Sequence, residues 1–323
     1  MKNLFLMAFA AMMLLSMACN QSSKTSADED AEGSVYACPM KCEGDKTYPG
    51  PGKCPVCGMA LKPVAGAATA VLYEMRLSMT PAAPQAGMPV KLAFTPKIKS
   101  NEAAQVPLDE VHEKKLHIII VSKDLAWYDH IHPDFQTDGS YAIDETFPAG
   151  GEYIIFADYQ PSGAGNQVER IVLDVSGAPA SVQSFTTESL TTQTDGYTVR
   201  LIPSAGKFLT NNMNHLGVAV TDKGKPVTNF ENIMGAKGHL VIISGDGKMY
   251  LHVHPDEVEG KLDLHTQFDQ PGIYRAFFQF QTNGMLHTSY FTINVMEGKP
   301  GELETPEGHH EHGKEGTEHS EHQ

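Results

Sequence analysis

The sequence predicts an all-β chain: two β-sandwich domains in tandem, preceded by a small cysteine-rich knuckle. Three observations lead there. Short runs of valine, isoleucine, tyrosine and phenylalanine, such as Ile118 to Val121 and Tyr153 to Phe156, are cut by Gly, Pro, Asp and Ser clusters, and no stretch of helical length keeps a 3.6-residue period. The chain also repeats itself, since LHIIIVSKDLAWYDHIHPDF from Leu116 matches GHLVIISGDGKMYLHVHPDE from Gly238. Four of the five cysteines fall between residues 36 and 63, upstream of both copies. A repeat of roughly 100 residues with about seven strands points to an immunoglobulin-like or cupredoxin-like sandwich.

Taken in order, residues 1–19 read as an export signal. Lys2 supplies the positive start, and the apolar run Leu4 to Ala18 is shorter than the ~20 residues that span a bilayer. Leu15-Ser16-Met17-Ala18-Cys19 resembles a bacterial lipobox, which makes Cys19 the expected lipidation site and the cell envelope the expected location. Residues 20–34 are polar and acidic, as in a flexible tether, and 64–70 form a second short linker.

Residues 35–63 hold Cys38-Pro-Met-Lys-Cys42 and Cys54-Pro-Val-Cys57, with Met40 and Met59 each two residues after a cysteine. Two such knuckles can surround one ion, and thiolates with thioethers favour Cu(I), zinc or a similar soft ion. Tyr48-Pro49-Gly50-Pro51-Gly52 is a turn-former that folds one knuckle toward the other. A pair of structural disulfides, or a closed zinc site that only supports a small fold, would use the same cysteines. The segment resembles the short heavy-metal-binding domain of copper-efflux adaptors and copper-transporting ATPases. That resemblance implies Cys38, Met40, Cys54, Cys57 and Met59 as metal contacts. The usual CPMHPE reads Cys38-Pro-Met-Lys-Cys-Glu43 here, so Lys41 replaces a histidine and Cys42 adds a sulfur.

The repeats are expected near 71–176 and 190–296, joined by the Ser/Thr-rich residues 181–194. They place histidines at matched positions: His117, His130 and His132, then His239, His252 and His254. Strand alternation puts Tyr128, His130 and His132 on one face, and Tyr250, His252 and His254 likewise. Imidazoles spaced i, i+2 can share a metal, while His117 and His239 sit on a strand able to pair alongside. Asp134 and Asp256 follow each HxHP and are candidates to orient a ring or to ligate. His287 is a further candidate metal ligand, at a place where the first repeat offers Asn166 or Gln167, and His112 aligns with Met234, so each repeat could assemble a different site. A hydrogen-bonded structural role for these histidines is the competing reading. Neither repeat has a cysteine, so a blue-copper centre is excluded. The duplicated HxHP pattern is similar to uncharacterised secreted bacterial proteins that often carry the same N-terminal metal domain.

The tail, residues 298–323, is Glu- and His-rich and expected to be disordered, with His309, His310, His312, His319 and His322 suited to loose metal capture. Net charge is 24 − 39 = −15, which argues against nucleic acid as a partner. No Ser-His-Asp order, phosphate loop or HExxH motif is present, so no enzyme is expected. The coiled-coil hairpin of an efflux adaptor and the membrane helices of a transport ATPase are both missing. The expectation is an exported, lipid-anchored binder of heavy metal, copper before zinc, that sequesters the ion or hands it to an efflux or delivery partner. The alternative is an interaction lipoprotein with a structural zinc knuckle.

Overall fold

The computed structural model describes residues 35–39, 46–48, 50–54, 58–64, 71–258 and 261–303. Cys19 and its leader, the tether, Met40, Cys42, Cys57 and the five tail histidines lie outside these residues.

The knuckle domain is a three-stranded sheet of β1 (Val35–Ala37), β2 (Thr47–Tyr48) and β3 (Lys62–Val64), in the order β2-β1-β3. Its core is Tyr36, Cys38, Tyr48, Cys54 and Leu61, too little apolar surface to hold a fold by itself. Both described cysteines are buried within it.

The first repeat contains β4 (Tyr73–Thr80), β5 (Val90–Ile98), β6 (Leu116–Ser122), β7 (Tyr128–Ile131), β8 (Asp134–Phe135), β9 (Tyr141–Glu145), β10 (Gly151–Tyr159) and β11 (Gln167–Val175). They form two antiparallel sheets, β4-β5-β9-β8 and β11-β10-β6-β7. Lettered in chain order, these are the ABED and GFCC′ sheets of an immunoglobulin-type sandwich. The second repeat contains β12 (Thr191–Thr194), β13 (Tyr197–Pro203), β14 (Phe208–Leu209), β15 (Met213–Asp222), β16 (Lys225–Pro226), β17 (His239–Ser244), β18 (Tyr250–Val253), β19 (Asp256–Val258), β20 (Lys261–Gln267), β21 (Gly272–Thr282) and β22 (Met285–Met296). Its sheets repeat the order as β13-β15-β20-β19 and β22-β21-β17-β18, with β12 and β14 added at their edges and β16 paired to β15. Both copies also carry a tyrosine corner: Tyr153 donates its hydroxyl proton to Ala149 O (2.9 Å) and Tyr274 to Gln270 O (2.7 Å).

Each sandwich has its own core, around Leu92, Phe94, Phe147 and Ile155 in the first and Phe208, Phe268, Phe278 and Phe291 in the second. A third core joins them. Along β6, Leu116, Ile118 and Ile120 face the first sandwich, while Ile119 and Val121 face outward into a cluster with Val241 and Ile243 of β17. The near-continuous apolar runs Leu116 to Val121 and Leu240 to Ile243 are thus explained, because each strand is covered on both faces. The GFCC′ sheets of the repeats pack on each other with matched aromatic stacks, Tyr128 on Phe277 (4.4 Å) and Phe156 on Tyr250 (4.8 Å). Each stack adds about 0.5–1.5 kcal/mol to simple burial.

A shared hairpin device sets the register. Ser122 Oγ donates to Asp124 (2.6 Å) and accepts the Ala126 and Trp127 amides, and Ser244 Oγ does the same with Asp246 (2.6 Å), Lys248 and Met249. The turns tighten through left-handed residues, Leu125 (φ 58°) and Gly247 (φ 67°). This pairing sets His130 opposite Ile119 and His252 opposite Val241, on the face the other sandwich covers.

Candidate metal centre

At one end of the third core the apolar side chains give way to imidazoles. His117, on β6, turns Nδ1 toward His130 Nε2 (3.3 Å) and His132 Nε2 (3.1 Å). In the second repeat His239 turns Nδ1 toward His252 Nε2 (3.1 Å) and His254 Nε2 (2.9 Å). These triads belong to one chamber. The ligand atoms of His130, His239 and His252 lie within 4.8 Å of one another, so histidines from both repeats form a common wall. Two expected sites have merged because the sheets that carry them are the sheets that pack.

The proton positions follow from the outer partners. His117 Nε2 meets Val111 O (3.0 Å) and His239 Nε2 meets Ile233 O (2.9 Å); a carbonyl only accepts, so each Nε2 carries the proton and each Nδ1 is a lone pair. His130 Nδ1 donates to Gln279 Oε1 (2.9 Å) and His252 Nδ1 to Asp158 Oδ2 (3.3 Å), which leaves both Nε2 atoms unprotonated. Between His117 and His130, and between His239 and His252, two lone pairs therefore face each other at about hydrogen-bond distance, while His132 and His254 turn Nε2 to the same Nδ1 atoms. A cation between them removes that repulsion. Ligands about 2.0–2.1 Å from a tetrahedral ion stand roughly 3.3 Å apart, close to the spacings found.

Burial is the largest influence on these rings. It lowers the pKa of His117, His130, His252 and His254, brings His239 down to about 4 and His132 to about 3, and so keeps them neutral and able to ligate.

Several residues around the chamber were not singled out by the sequence. Asp158 accepts from Asn166 Nδ2 (2.6 Å) and Tyr250 OH (3.0 Å) besides His252. Asp158 sits opposite His117 on β10, and Gln279 sits opposite His239 on β21; the matched registers could have drawn attention to both. By contrast Asp134 and Asp256 are exposed on β8 and β19, strands of the opposite sheets, and the ring-orienting partners are Asp158 and Gln279. His112 (φ 51°) stacks on His254 at 3.5 Å, joining the two repeats.

His287 is not brought to the chamber. It lies opposite Phe280 and shares its side of the sheet, facing the second sandwich's own core rather than the shared interface. There it bonds Asp195 (2.8 Å) and packs on Tyr197.

The knuckle domain sits over the chamber. Lys53 and Asn166 exchange backbone hydrogen bonds (2.8 and 3.1 Å), Gln167 Nε2 donates to Pro51 O (2.7 Å), and Lys53 Nζ reaches Tyr250 O (2.5 Å). Burial lowers the Lys53 pKa, opposed by the charges of Asp158 and Asp269. Cys54 and Met59 line the same cavity of about 480 Å³ as His112, His117, His252 and His254. A short turn holds that pair, with Cys54 N donating to Met59 O and Gly58 N to Cys54 O, both at 2.8 Å.

The arrangement defines a class: a duplicated immunoglobulin-like protein with a heavy-metal domain docked where its two histidine triads meet. A heavy metal binding domain matches residues 35–64, ahead of a duplicated domain, the order the sequence predicts. That duplicated domain is the domain of unknown function DUF8832, matched over residues 69–177 and 192–297, and the chain belongs to this family. Among curated proteins nothing matches the chain. Solved structures that match the chain include the Escherichia coli adhesin FdeC, at 17% identity and a TM-score of 0.24 over 73% of this chain and 70% of that one. The Yersinia pseudotuberculosis adhesin InvE is 10% identical with a TM-score of 0.22, over 68% of this chain and 59% of that one. Carbohydrate-binding modules of the β-sandwich superfamily are 10% identical with a TM-score of 0.21, over 68% and 96%. At these values the likeness says nothing about activity.

Proposed function

We propose that the protein is a non-enzymatic metal binder of the cell envelope, exported and held by a lipid on Cys19, with copper as its principal cargo. It keeps ions in two places, at the cysteine–methionine knuckle and in the histidine chamber, for sequestration or for delivery to a partner protein. One observation carries the reading: paired imidazole lone pairs, 3.3 Å apart in one triad and 3.1 Å in the other, with the protons of those four rings committed to Val111, Gln279, Ile233 and Asp158. Buried polar groups left in that state cost stability unless something fills the gap.

Charge favours a monovalent ion. The ligands are neutral, and among the described residues Asp158 is the carboxylate that bonds one of them, His252, so two divalent ions would leave several uncompensated charges among largely buried rings. Cu(I) suits this balance and also suits the thiolate and thioether of Cys54 and Met59. Zinc is the runner-up, bound at the knuckle as a structural ion.

Elemental analysis and copper K-edge absorption on protein taken from its native envelope test this reading. Copper with both sulfur and nitrogen ligands is the expected result. Zinc on sulfur alone, with nothing on nitrogen, would move the protein to the class of interaction lipoproteins. Cys19→Ser should release the mature protein from the membrane fraction, and unchanged partitioning would remove the anchor.

A further inference from the structure

We propose that the heavy metal binding domain is the loading arm of the histidine chamber, passing an ion from Cys54 and Met59 directly to the imidazoles across the cavity they share. The inference rests on the chamber binding metal, as proposed above. Three features point to direct transfer rather than to two independent stores.

The first is the dock. Residues 51–53 run along 166–167 through the backbone pair at Lys53 and Asn166 and the bond from Gln167 to Pro51. The approach needs glycine: a Cβ on Gly52 would lie 2.5 Å from Asn166 O, a backbone atom that cannot swing away. The second is position. Cys54 and Met59 line the same cavity as His252 and His254. The third is His112, outside both triads yet stacked on His254 and lining that cavity, which offers one further ring nitrogen beside the second triad.

Chemically the step is ligand exchange. Bonds from the ion to the Cys54 and Met59 sulfurs break, bonds to imidazole nitrogens form, and the oxidation state is unchanged. The released thiolate takes one proton from water; the imidazoles, already neutral, give up none.

The test uses the full chain, free of metal and anaerobic, mixed with an excess of a Cu(I) chelate and freeze-quenched for copper K-edge absorption. In the wild type, sulfur ligation should come first. Nitrogen ligation should follow at a rate independent of chelate concentration, as an internal transfer requires. Gly52→Ala, which wedges the dock apart, should reach the same final nitrogen ligation on the order of tenfold more slowly, because a docked donor is replaced by a merely tethered one. Gln167→Ala should act in the same direction but less, which guards against misfolding of the glycine variant. Met59→Leu should make chamber filling depend on chelate concentration. The proposal is overturned if wild-type filling scales with chelate concentration, or if the dock variants fill at the wild-type rate. Absence of nitrogen ligation at the end point in every variant, with sulfur ligation intact, would instead bring down the chamber reading, and the transfer with it.

Discussion

In the first triad His130 gives its Nδ1 proton to the neutral amide of Gln279; in the second, His252 gives its proton to the carboxylate of Asp158. The tyrosines beside them differ as well. Tyr250 donates to Asp158, while the matched hydroxyl of Tyr128 is buried with no hydrogen-bond partner among the described residues. Lys53 reaches over from the metal domain to Tyr250. Duplication has kept the ligands alike and let their supports diverge. A carboxylate behind an imidazole makes it more basic and offsets the charge of a bound ion, so the second triad should hold a cation more tightly.

The largest effect should come from emptying one triad at a time. His252→Asn with His254→Asn should abolish binding of the tighter chamber ion, and His130→Asn with His132→Asn the weaker, each read by metal stoichiometry on chelator-washed protein. Equal losses at every free-metal concentration would erase the distinction between the triads.

Next is the orienting pair. Asp158→Asn should weaken the second triad roughly 10- to 100-fold, while Gln279→Met should weaken the first by less, about tenfold. Competition against a calibrated Cu(I) chelator measures both. A reversed order would show that charge behind the ring is not what separates them.

The metal-free protein should also lose stability in acid. The unfolded chain takes up protons as pH falls through the ordinary histidine value of 6.5, whereas the folded rings resist until lower, His239 to about 4 and His132 to about 3. The unfolded state thus binds more protons in that window, and stability is full above pH 6.5 and declines below it. Urea midpoints with chelator present should drop between pH 7 and pH 5, and less so in the double asparagine variants. Identical midpoints would mean the chamber opens to solvent.

The smallest effect sharpens the comparison most cleanly. Tyr250→Phe removes a bond to Asp158 and should cost about 1–3 kcal/mol, while Tyr128→Phe removes an unpaired hydroxyl and should be neutral or slightly stabilising. Thermal or urea unfolding of both variants decides it; equal costs would place an unseen partner at Tyr128.

Much of this was legible in the sequence. The matched HxHP segments, the turn chemistry and the apolar strands give two sandwiches and place Tyr128, His130 and His132 on one face. The run Leu116 to Val121 marks its strand as buried. What it does not say is by what, because nothing in a strand's own composition distinguishes a second sheet of the same domain from a neighbouring domain. Asp158 and Gln279 were hidden for a related reason. Their importance depends on pairing opposite His117 and His239 across a long-range ladder, not on any local motif. His287 misleads in the opposite way: the repeat gives its place in the chain, but a histidine two strands from His239 faces whichever side the ladder dictates.

The doubly covered strands have a consequence for how such a protein can exist at all. A single repeat would leave Ile119, Val121, Tyr128 and Phe156 in water and would carry half of the imidazole wall. It would need a second copy, and the assembled fraction would follow protein concentration. Two copies on one chain meet at a fixed local concentration, so the chamber stays assembled even where few molecules are present.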